Sequence, residues 1–580
     1  MGDFLNVSNS LTGRRWVGPS IEVDRSAEAL EQDTTLPRPL CQVLARRGVS
    51  AQEAESFLAP SLRDLLPDPR SLKDMERAAE RFLQAVKTRQ KIAIFADYDV
   101  DGGSSGALIV VWLRAMGLAC TLYVPDRIDE GYGPNDEAMA ELARNHDLII
   151  CVDCGTLSHD PIAAAKGADV IVLDHHLGGE TLPDCHAVVN PNRQDEDGAL
   201  AHLCAAAVVF LMLVEANRQM RLDGAQGPDL MAMLDLVALA TVADVAPLIG
   251  VNRALVRQGL KVMGRRERAG IVALSDVSRM DTAPNTYHLG FLLGPRVNAG
   301  GRIGQADLGA RLLSTDNVNE ARAMADRLDE LNTERRDIEA SVRAAAMDQA
   351  EERGLDAPLV WAAGEGWHPG VVGIVASRIK EANNRPSIVI GFDGEIGKGS
   401  GRSVSGVDLG ASIQKLAAEG LLVKGGGHKM AAGLTVERDK LEPAMARLSE
   451  LLAKQGAGDM GPADLKLDGM LMPGAASIDL VNQIEAAGPF GAGAPAPRFA
   501  FPEVEIRFAK RIGDSHLKVT FGDGMSARLE AICFGAFDTA LGPALENHAG
   551  KRFHLAGRLD INTWGGRQTV QLRLEDAALA

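Results

Sequence analysis

Three aspartates fall within five residues in "DYDVD" (Asp97, Asp99, Asp101), directly after the apolar run "KIAIFA". Asp153 closes "DLIICVD", and Asp174, His175 and His176 close "DVIVLDHH". Asp244, in "ALATVADVAPL", follows a helical run and could enter from the side. Carboxylates gathered in one place repel one another unless cations neutralise them. Oxygen and imidazole donors without thiolate favour Mn²⁺, then Mg²⁺. Two such ions about 3.5–4 Å apart clamp an in-line displacement at phosphorus, one turning water into a nucleophile and both offsetting the developing charge. In such a set His175 is a ligand candidate and His176 a phosphate contact or proton donor. Asp174 is an acceptor that orients a histidine. Alone, a histidine at a strand end is ordinarily a satisfied polar residue; membership of the set is what singles it out.

A parallel sheet must position these groups. From Lys91 the chain alternates buried-strand patterns ("KIAIFADYD", "CTLYVPDR", "DLIICVDCG", "DVIVLDHH", "HAVVNPN") with helical ones such as "SSGALIVVWLRAMG". That alternation predicts βαβ units with helices on both faces. Ligands of such sheets bind beyond the carboxyl ends of the strands, where this chain puts its acids. Residues 199–350 read as mostly helical. The charged, proline-free stretch from Asn317 predicts a long helix bridging two lobes, or one packed peripherally. A second α/β segment starts near Pro358, and short strands after about Gly456 predict a five-stranded barrel.

Rival chemistries fit less well. An EF-hand loop needs glutamate at its twelfth position, where Leu108 stands, and a helix where a strand is predicted. Cys151 and Cys154 have CxxC spacing, but no second pair completes a zinc site. "EGWHPGVVG" lacks a clean dinucleotide fingerprint, so His368 reads as local structure. The 580 residues suit three or four domains. Hydrophobic content of 46% and charged content of 24% are those of a globular protein. A net charge of -17 argues against nucleic acid coating the whole surface, though not against a local basic channel such as "RFAKRIGDSHLK" (507–518). There Phe499, Phe508 and Trp564 are candidate base stackers. Seven dispersed cysteines fit a reducing cytoplasm, and no signal peptide or membrane span is predicted.

"GPRVNAGGRIG" (294–304) offers Arg296, Asn298 and Arg302 in what reads as a glycine-rich loop. "GSGRS" (399–403) offers Ser400, Arg402 and Ser403 on what reads as a phosphate-cradling turn, and "GGGH" offers His428.

Together "DYDVDG", "VDCG", "DHH" and "ATVADVAPL", in this order, resemble the DHH phosphoesterase superfamily. The two glycine-rich segments just named, "VVGIVASRI" (371–379) and "KGGGHKMAAG" (424–433) resemble its RecJ branch. "LAGRLDINTWGGRQTVQLRLED" is similar to the oligonucleotide-binding (OB) domain of that branch. The resemblance implies an α/β fold with a parallel-sheet DHH lobe, a smaller α/β DHHA1 lobe, a connecting helix and a C-terminal β-barrel OB domain. The segments are then 1–90 (helical), 91–310, 311–354 (connecting helix), 355–456 and 460–580. It implies metal-dependent 5′-to-3′ degradation of single-stranded DNA to 5′-mononucleotides in recombination and repair. Asp97, Asp99, Asp101, Asp153, His175 and Asp244 then hold two Mn²⁺ or Mg²⁺ ions. Asp99, Asp101, His175, His176 and Arg296 act in catalysis, with Arg296 near the scissile phosphate. Arg127 and Tyr132 join the strand contacts His176, Arg296, Asn298, Arg302, Ser400, Arg402, Ser403 and His428. Many DHH enzymes have histidine two residues before the first of these acids; here Phe95 leaves the second ion's ligand set open. Implied partners are a single-strand binding protein and a RecQ-type helicase, around a monomer in the bacterial cytoplasm. Two alternatives stand: a nanoRNase or cyclic-dinucleotide phosphodiesterase of the same superfamily, and a non-catalytic Cdc45-like scaffold. The latter predicts eroded metal motifs.

Overall fold

A computed structural model describes residues 3–126, 130–131, 133–458, 463–524 and 527–580. It divides into two compact units: Leu72–Ala243 with Val262–Gly461, and Met1–Ser71 with Asp244–Lys261 and Pro462–Ala580.

The first unit contains the expected parallel sheet, in the order Thr121–Tyr123, Ile92–Ala96, Leu148–Val152, Asp169–Leu173, Ala187–Val189. Every residue of Ile92–Ala96 and Leu148–Val152 is buried, because helices cover both faces. Helix Val100–Ala115 carries little polarity on any side and packs among Ala205–Leu222, Leu234–Ala243 and Leu308–Ser314. A second, mixed sheet runs Lys424–His428, Ala431–Glu437, Ile396–Arg402, Ser387–Asp393, Val360–Glu365.

Helix Val318–Arg353 links the two sheets. Asn317 caps its start by accepting from the amides of Asn319 and Glu320, and Gly354, at φ 97°, ends it. Its buried residues recur at helical spacing along its length, from Ala321, Ala325 and Leu328 to Val342, Ala346 and Ala350. The first half packs on Ala269–Val277 and Gly294–Ile303, the second on Val360–Glu365 and Pro369–Asn383. Of the two readings of this helix, the bridge is the one observed.

In the second unit five strands close a barrel: Phe499–Ile512, His516–Gly522, Arg528–Cys533, Arg567–Leu579 and Arg552–Trp564, which returns to the first. Residues before 72 do not stand apart. The apolar face of helix Arg38–Arg46 (Leu40, Cys41, Val43, Leu44) joins the barrel core. Trp16, fully buried, donates its indole N–H to Asp576 Oδ2 at 2.9 Å. Helix Met75–Lys87 packs instead on Ala205–Leu222 in the first unit. The segment read as 1–90 is therefore shared between two cores, each covering an amphipathic helix that could not stand alone. No helix among the described residues is long and apolar enough to cross a membrane.

Candidate active site

The acids gather at the carboxyl edge of the parallel sheet, each through a different local device. Asp97 is buried one residue beyond Ile92–Ala96. Asp99 caps the next helix, its Oδ1 accepting from the amides of Asp101 (2.9 Å) and Gly102 (3.1 Å). Glycine is required at 102, since a Cβ there would lie 2.4 Å from the Asp97 carbonyl oxygen. Asp101, in the first turn, accepts from the amides of Ala205 (2.7 Å) and Ala206 (2.8 Å) where helix Ala205–Leu222 begins. Asp153 leaves its strand with φ 60°, a left-handed conformation that aspartate tolerates better than most side chains.

Asp174 organises the third strand end. Its Oδ1 accepts from the amides of His175 (2.7 Å) and His176 (3.1 Å) and pairs with His176 Nδ1 at 2.8 Å. Its Oδ2 accepts from the Thr156 amide at 3.1 Å. Burial would raise the Asp174 carboxyl, yet the hydrogen bond and charge of His176, with Thr156, hold it below the ordinary aspartate range. His175 Nε2 stands 3.3 Å from Asp153 Oδ1 and 3.7 Å from Asp101 Oδ2.

One donor atom from each of Asp97, Asp99 and Asp153 falls within a common 4.8 Å, and so does one from each of Asp153, His175 and His176. Burial, reinforced by Asp101, Asp99 and Asp97, pushes the Asp153 carboxyl well above its ordinary value. Burial also raises Asp101. Carboxylates this close are stable as anions only beside a cation, and the donors are oxygen and imidazole nitrogen. Cys154 is no donor, because its thiol is directed at the carbonyls of Val152 (3.4 Å) and Phe95. The residues present fit hard divalent cations. Phe95, buried under this edge, lies tilted against the Tyr123 ring, centroids 5.3 Å apart, and contributes packing, not ligation. Asp244 directly follows helix Leu234–Ala243, which packs along Val100–Ala115.

Asn190 and Asn192 were not singled out in the sequence. Asn190 Nδ2 donates to the carbonyl of His176 (2.7 Å) and to Thr156 Oγ1 (2.8 Å). Asn192 Nδ2 donates to the carbonyl of His175 at 2.5 Å. The backbone of both histidines is thus pinned from the neighbouring chain segment. The only sequence signal was the pair of amides in "VVNPN" after a short strand.

The glycine-rich segments fold otherwise than expected. Arg296, Asn298 and Arg302 lie on helix Gly294–Ile303, entered through the π-helical stretch His288–Leu293. A Cβ on Gly301 would come within 1.9 Å of the Tyr98 ring, and one on Gly304 within 2.6 Å of Leu331. These glycines let the helix approach its neighbours. Arg296 pairs with Asp329 Oδ1 at 2.8 Å, Asn298 accepts from the Val100 amide at 3.0 Å, and Arg302 donates to the Gly370 carbonyl at 3.0 Å. "GSGRS" is no turn: Ile396–Arg402 is an interior strand whose backbone pairs on both sides. Arg402 donates to Ser400 Oγ at 2.9 Å. Ser403 is buried and donates its hydroxyl to the Val407 carbonyl at 2.8 Å, so it faces the interior instead of a strand. His428 is exposed at the end of an edge strand. His368 caps helix Pro369–Asn383, as local structure. Phe499 fills the barrel core, whereas Phe508 is 56% exposed beside the basic Arg507 and Lys510. Arg127 and Tyr132 lie outside the described residues.

Three family profiles match the chain: the DHH family, N-terminal domain, over residues 91–241, the DHHA1 domain over 356–454 and the RecJ OB domain over 467–576. The single-stranded-DNA-specific exonuclease RecJ of Dickeya dadantii is 38% identical over 95% of this chain and 98% of its own. That of Escherichia coli is 37% identical over 96% and 98%. The crystal structure of RecJ with Mn²⁺ from Thermus thermophilus superposes with a TM-score of 0.80 and 29% identity, over 97% of this chain and 79% of that one. The Mg²⁺ complex gives 0.72 and 27%, over 97% and 78%. The matches run along nearly the whole length, through sheet, bridging helix and barrel, and the chain belongs to the RecJ family.

Proposed function

We propose that the chain is a metal-dependent exonuclease specific for single-stranded DNA, working from the 5′ end and releasing 5′-mononucleotides in recombination and repair. The observation that carries this reading is the convergence of Asp97, Asp99, Asp101, Asp153, His175 and His176 on one sheet edge, in a chain similar to RecJ proteins from end to end.

Asp97, Asp99, Asp101, Asp153, His175 and Asp244 would hold the Mn²⁺ or Mg²⁺ ions. When bound, such ions acidify water and offset negative charge at phosphorus. The remaining work falls to the chain's own groups. Two amide hydrogen bonds fix the Asp101 carboxylate, so it needs no reorientation. His176, its ring oriented through Nδ1 by Asp174, would meet a phosphate oxygen or pass a proton to the departing 3′ oxygen. Arg296 can exchange the carboxylate of Asp329 for a phosphate, one oxyanion replacing another. Ser400, Arg402 and His428 would receive the 5′ phosphate and so set the polarity. The exposed Phe508, Arg507 and Lys510 of the barrel suit stacking and backbone contact with a single strand. A single-strand binding protein and a RecQ-type helicase are the partners proposed for a cytoplasmic monomer.

Single strands labelled at the 5′ or the 3′ end, incubated with Mn²⁺, test this reading. Immediate release of 5′-labelled mononucleotide, with stepwise shortening of the 3′-labelled strand, is expected. EDTA and His175→Ala should abolish both. A strand that survives while a dinucleotide is cut would overturn the substrate assignment.

A further inference from the structure

The barrel-bearing unit holds a cavity of about 600 Å³, formed by the N-terminal segment, the start of helix Gly250–Met263 and the chain leading into the first barrel strand. Its walls carry six cations (Arg14, Arg46, Arg47, Arg253, Lys466, Arg498) against two acids, Asp464 and Asp468, in a chain of net charge -17. Both acids are already engaged: Asp464 by Arg15 at 2.8 Å and Asp468 by Arg46 at 3.4 Å. Arg498 pairs with Glu575 at 2.6 Å. The other four have no carboxylate partner among the described residues. Arg14 donates to Thr12 Oγ1 and the Glu575 carbonyl. Arg47 donates to the carbonyls of Val43 and Pro495, and its buried Nε has no acceptor. Arg253 lies over the Phe57 ring at 3.7 Å and donates to the carbonyls of Phe57, Ala487 and Gly488. Lys466 is exposed.

Guanidinium groups whose hydrogen bonds go to neutral oxygens keep their positive charge, offset in part at Arg47 by the nearby Asp468. Burial, then the charges of Arg47 and Arg257, bring Arg253 down to about 10. Apolar groups (Phe57, Leu248, Pro495) share the lining, as in a pocket that takes a nucleotide and not merely an inorganic ion. Arginine forks match phosphate geometry.

We propose that this cavity is a phosphate-binding site that takes phosphodiesters of a single strand or the phosphate of a free nucleotide. The strand assignment rests on the nuclease reading above; the phosphate chemistry does not. The site contributes retention of a long strand and leaves hydrolysis of a short one unchanged.

The test uses the full chain in EDTA, with a 3′-fluorescent single strand of about 16 nucleotides, the upper site size of such a barrel. Thymidine 3′,5′-bisphosphate is the small probe. Lys466→Glu should weaken strand binding about tenfold and make its salt dependence shallower by about 0.7 in log–log slope for each phosphate no longer neutralised. Lys551→Glu, the same charge change at an exposed residue outside the cavity, should do neither. Dinucleotide cleavage with Mn²⁺ and the melting temperature should match those of the parent. Arg47→Gln should act in the same direction, and Lys466→Glu remains decisive if that variant fails to fold. A loss confined to the bisphosphate assigns the site to free nucleotides. Equal effects of Lys466→Glu and Lys551→Glu, or no effect on either probe, overturn the proposal. Cleavage of the same strand by the parent with Mn²⁺ reports the nuclease reading separately.

Discussion

Asn192→Ala separates the holding of a metal ligand from the holding of the fold. The substitution removes one 2.5 Å hydrogen bond to the His175 carbonyl and a longer one, 3.4 Å, to Ala201. The Asn192 backbone amide keeps its bond to Asn190 Oδ1. Asn192 is half-buried, so water can reach the released carbonyl, and the loss of stability should be about 1 kcal/mol. A fold of roughly 5–15 kcal/mol then still leaves at least about 99.9% of molecules native. Global unfolding therefore contributes nothing measurable to ion binding. Freed from its tether, however, the His175 backbone can swing the ring away from its 3.3 Å approach to Asp153. Removing such an outer support ordinarily costs about 10- to 100-fold in metal affinity, or roughly 1.4–2.8 kcal/mol. Free Mn²⁺ measured by electron paramagnetic resonance during a titration gives the affinity, and melting in EDTA gives the stability. An affinity within about twofold of the parent, beside the expected small drop in melting temperature, would refute the positioning role.

Mn²⁺ at about 100 times its dissociation constant should stabilise the native state by about 2.7 kcal/mol, read as a higher melting temperature than in EDTA. The rise should vanish in Asp153→Ala, which empties the centre of both ligand groups described above. Gly301→Ala forces a methyl to within 1.9 Å of the Tyr98 ring, between Asp97 and Asp99. It should cost about 1–3 kcal/mol and lower nuclease activity as well, measured by thermal melting and strand cleavage. Trp16→Phe leaves the fully buried Asp576 Oδ2 without its indole donor. It should cost about 1–3 kcal/mol, seen as a lower denaturation midpoint, while dinucleotide cleavage with Mn²⁺ in native conditions stays at the parent rate.

The parallel sheet and its acids were legible because their signals are local. An apolar run ending in aspartate states both the strand and the place where the side chain emerges, and Asp97, Asp153 and Asp174 each follow that rule. The bridging helix was legible from its many charges and its lack of proline, but which neighbours it touched was not. Asn190 and Asn192 were not legible as functional, since their partners are carbonyls, which every residue carries. How residues 1–90 divide between two cores was not legible for a related reason. Helices Arg38–Arg46 and Met75–Lys87 both show one apolar face, and nothing in either face names the core that covers it.

Glycine was the residue whose meaning the sequence left most open. "GPRVNAGGRIG" and "GSGRS" read as loops because glycine is the common residue of turns and of close phosphate approach. A missing Cβ serves equally where two elements must touch, and the demand then comes from the partner. Gly301 exists for the Tyr98 ring, Gly401 for Leu409 and Ile388, and Gly373 for Ser400 and Arg402. Each partner is distant in sequence or lies in another element. The consequence for chemistry is direct. Amides in helix Gly294–Ile303 and strand Ile396–Arg402 are committed to their own ladders, so any phosphate contact proposed for these segments would have to come from side chains. That would place the burden on Arg296, now paired with Asp329 and the Leu292 carbonyl, and on Arg402, now bonded to Ser400 and the Gly401 carbonyl. Arg296→Lys, which keeps the charge but loses the fork, should then impair cleavage nearly as much as Arg296→Ala, by roughly 10- to 100-fold in kcat/KM. Full activity in the lysine variant would mean that charge alone suffices there and that the bidentate geometry is not used.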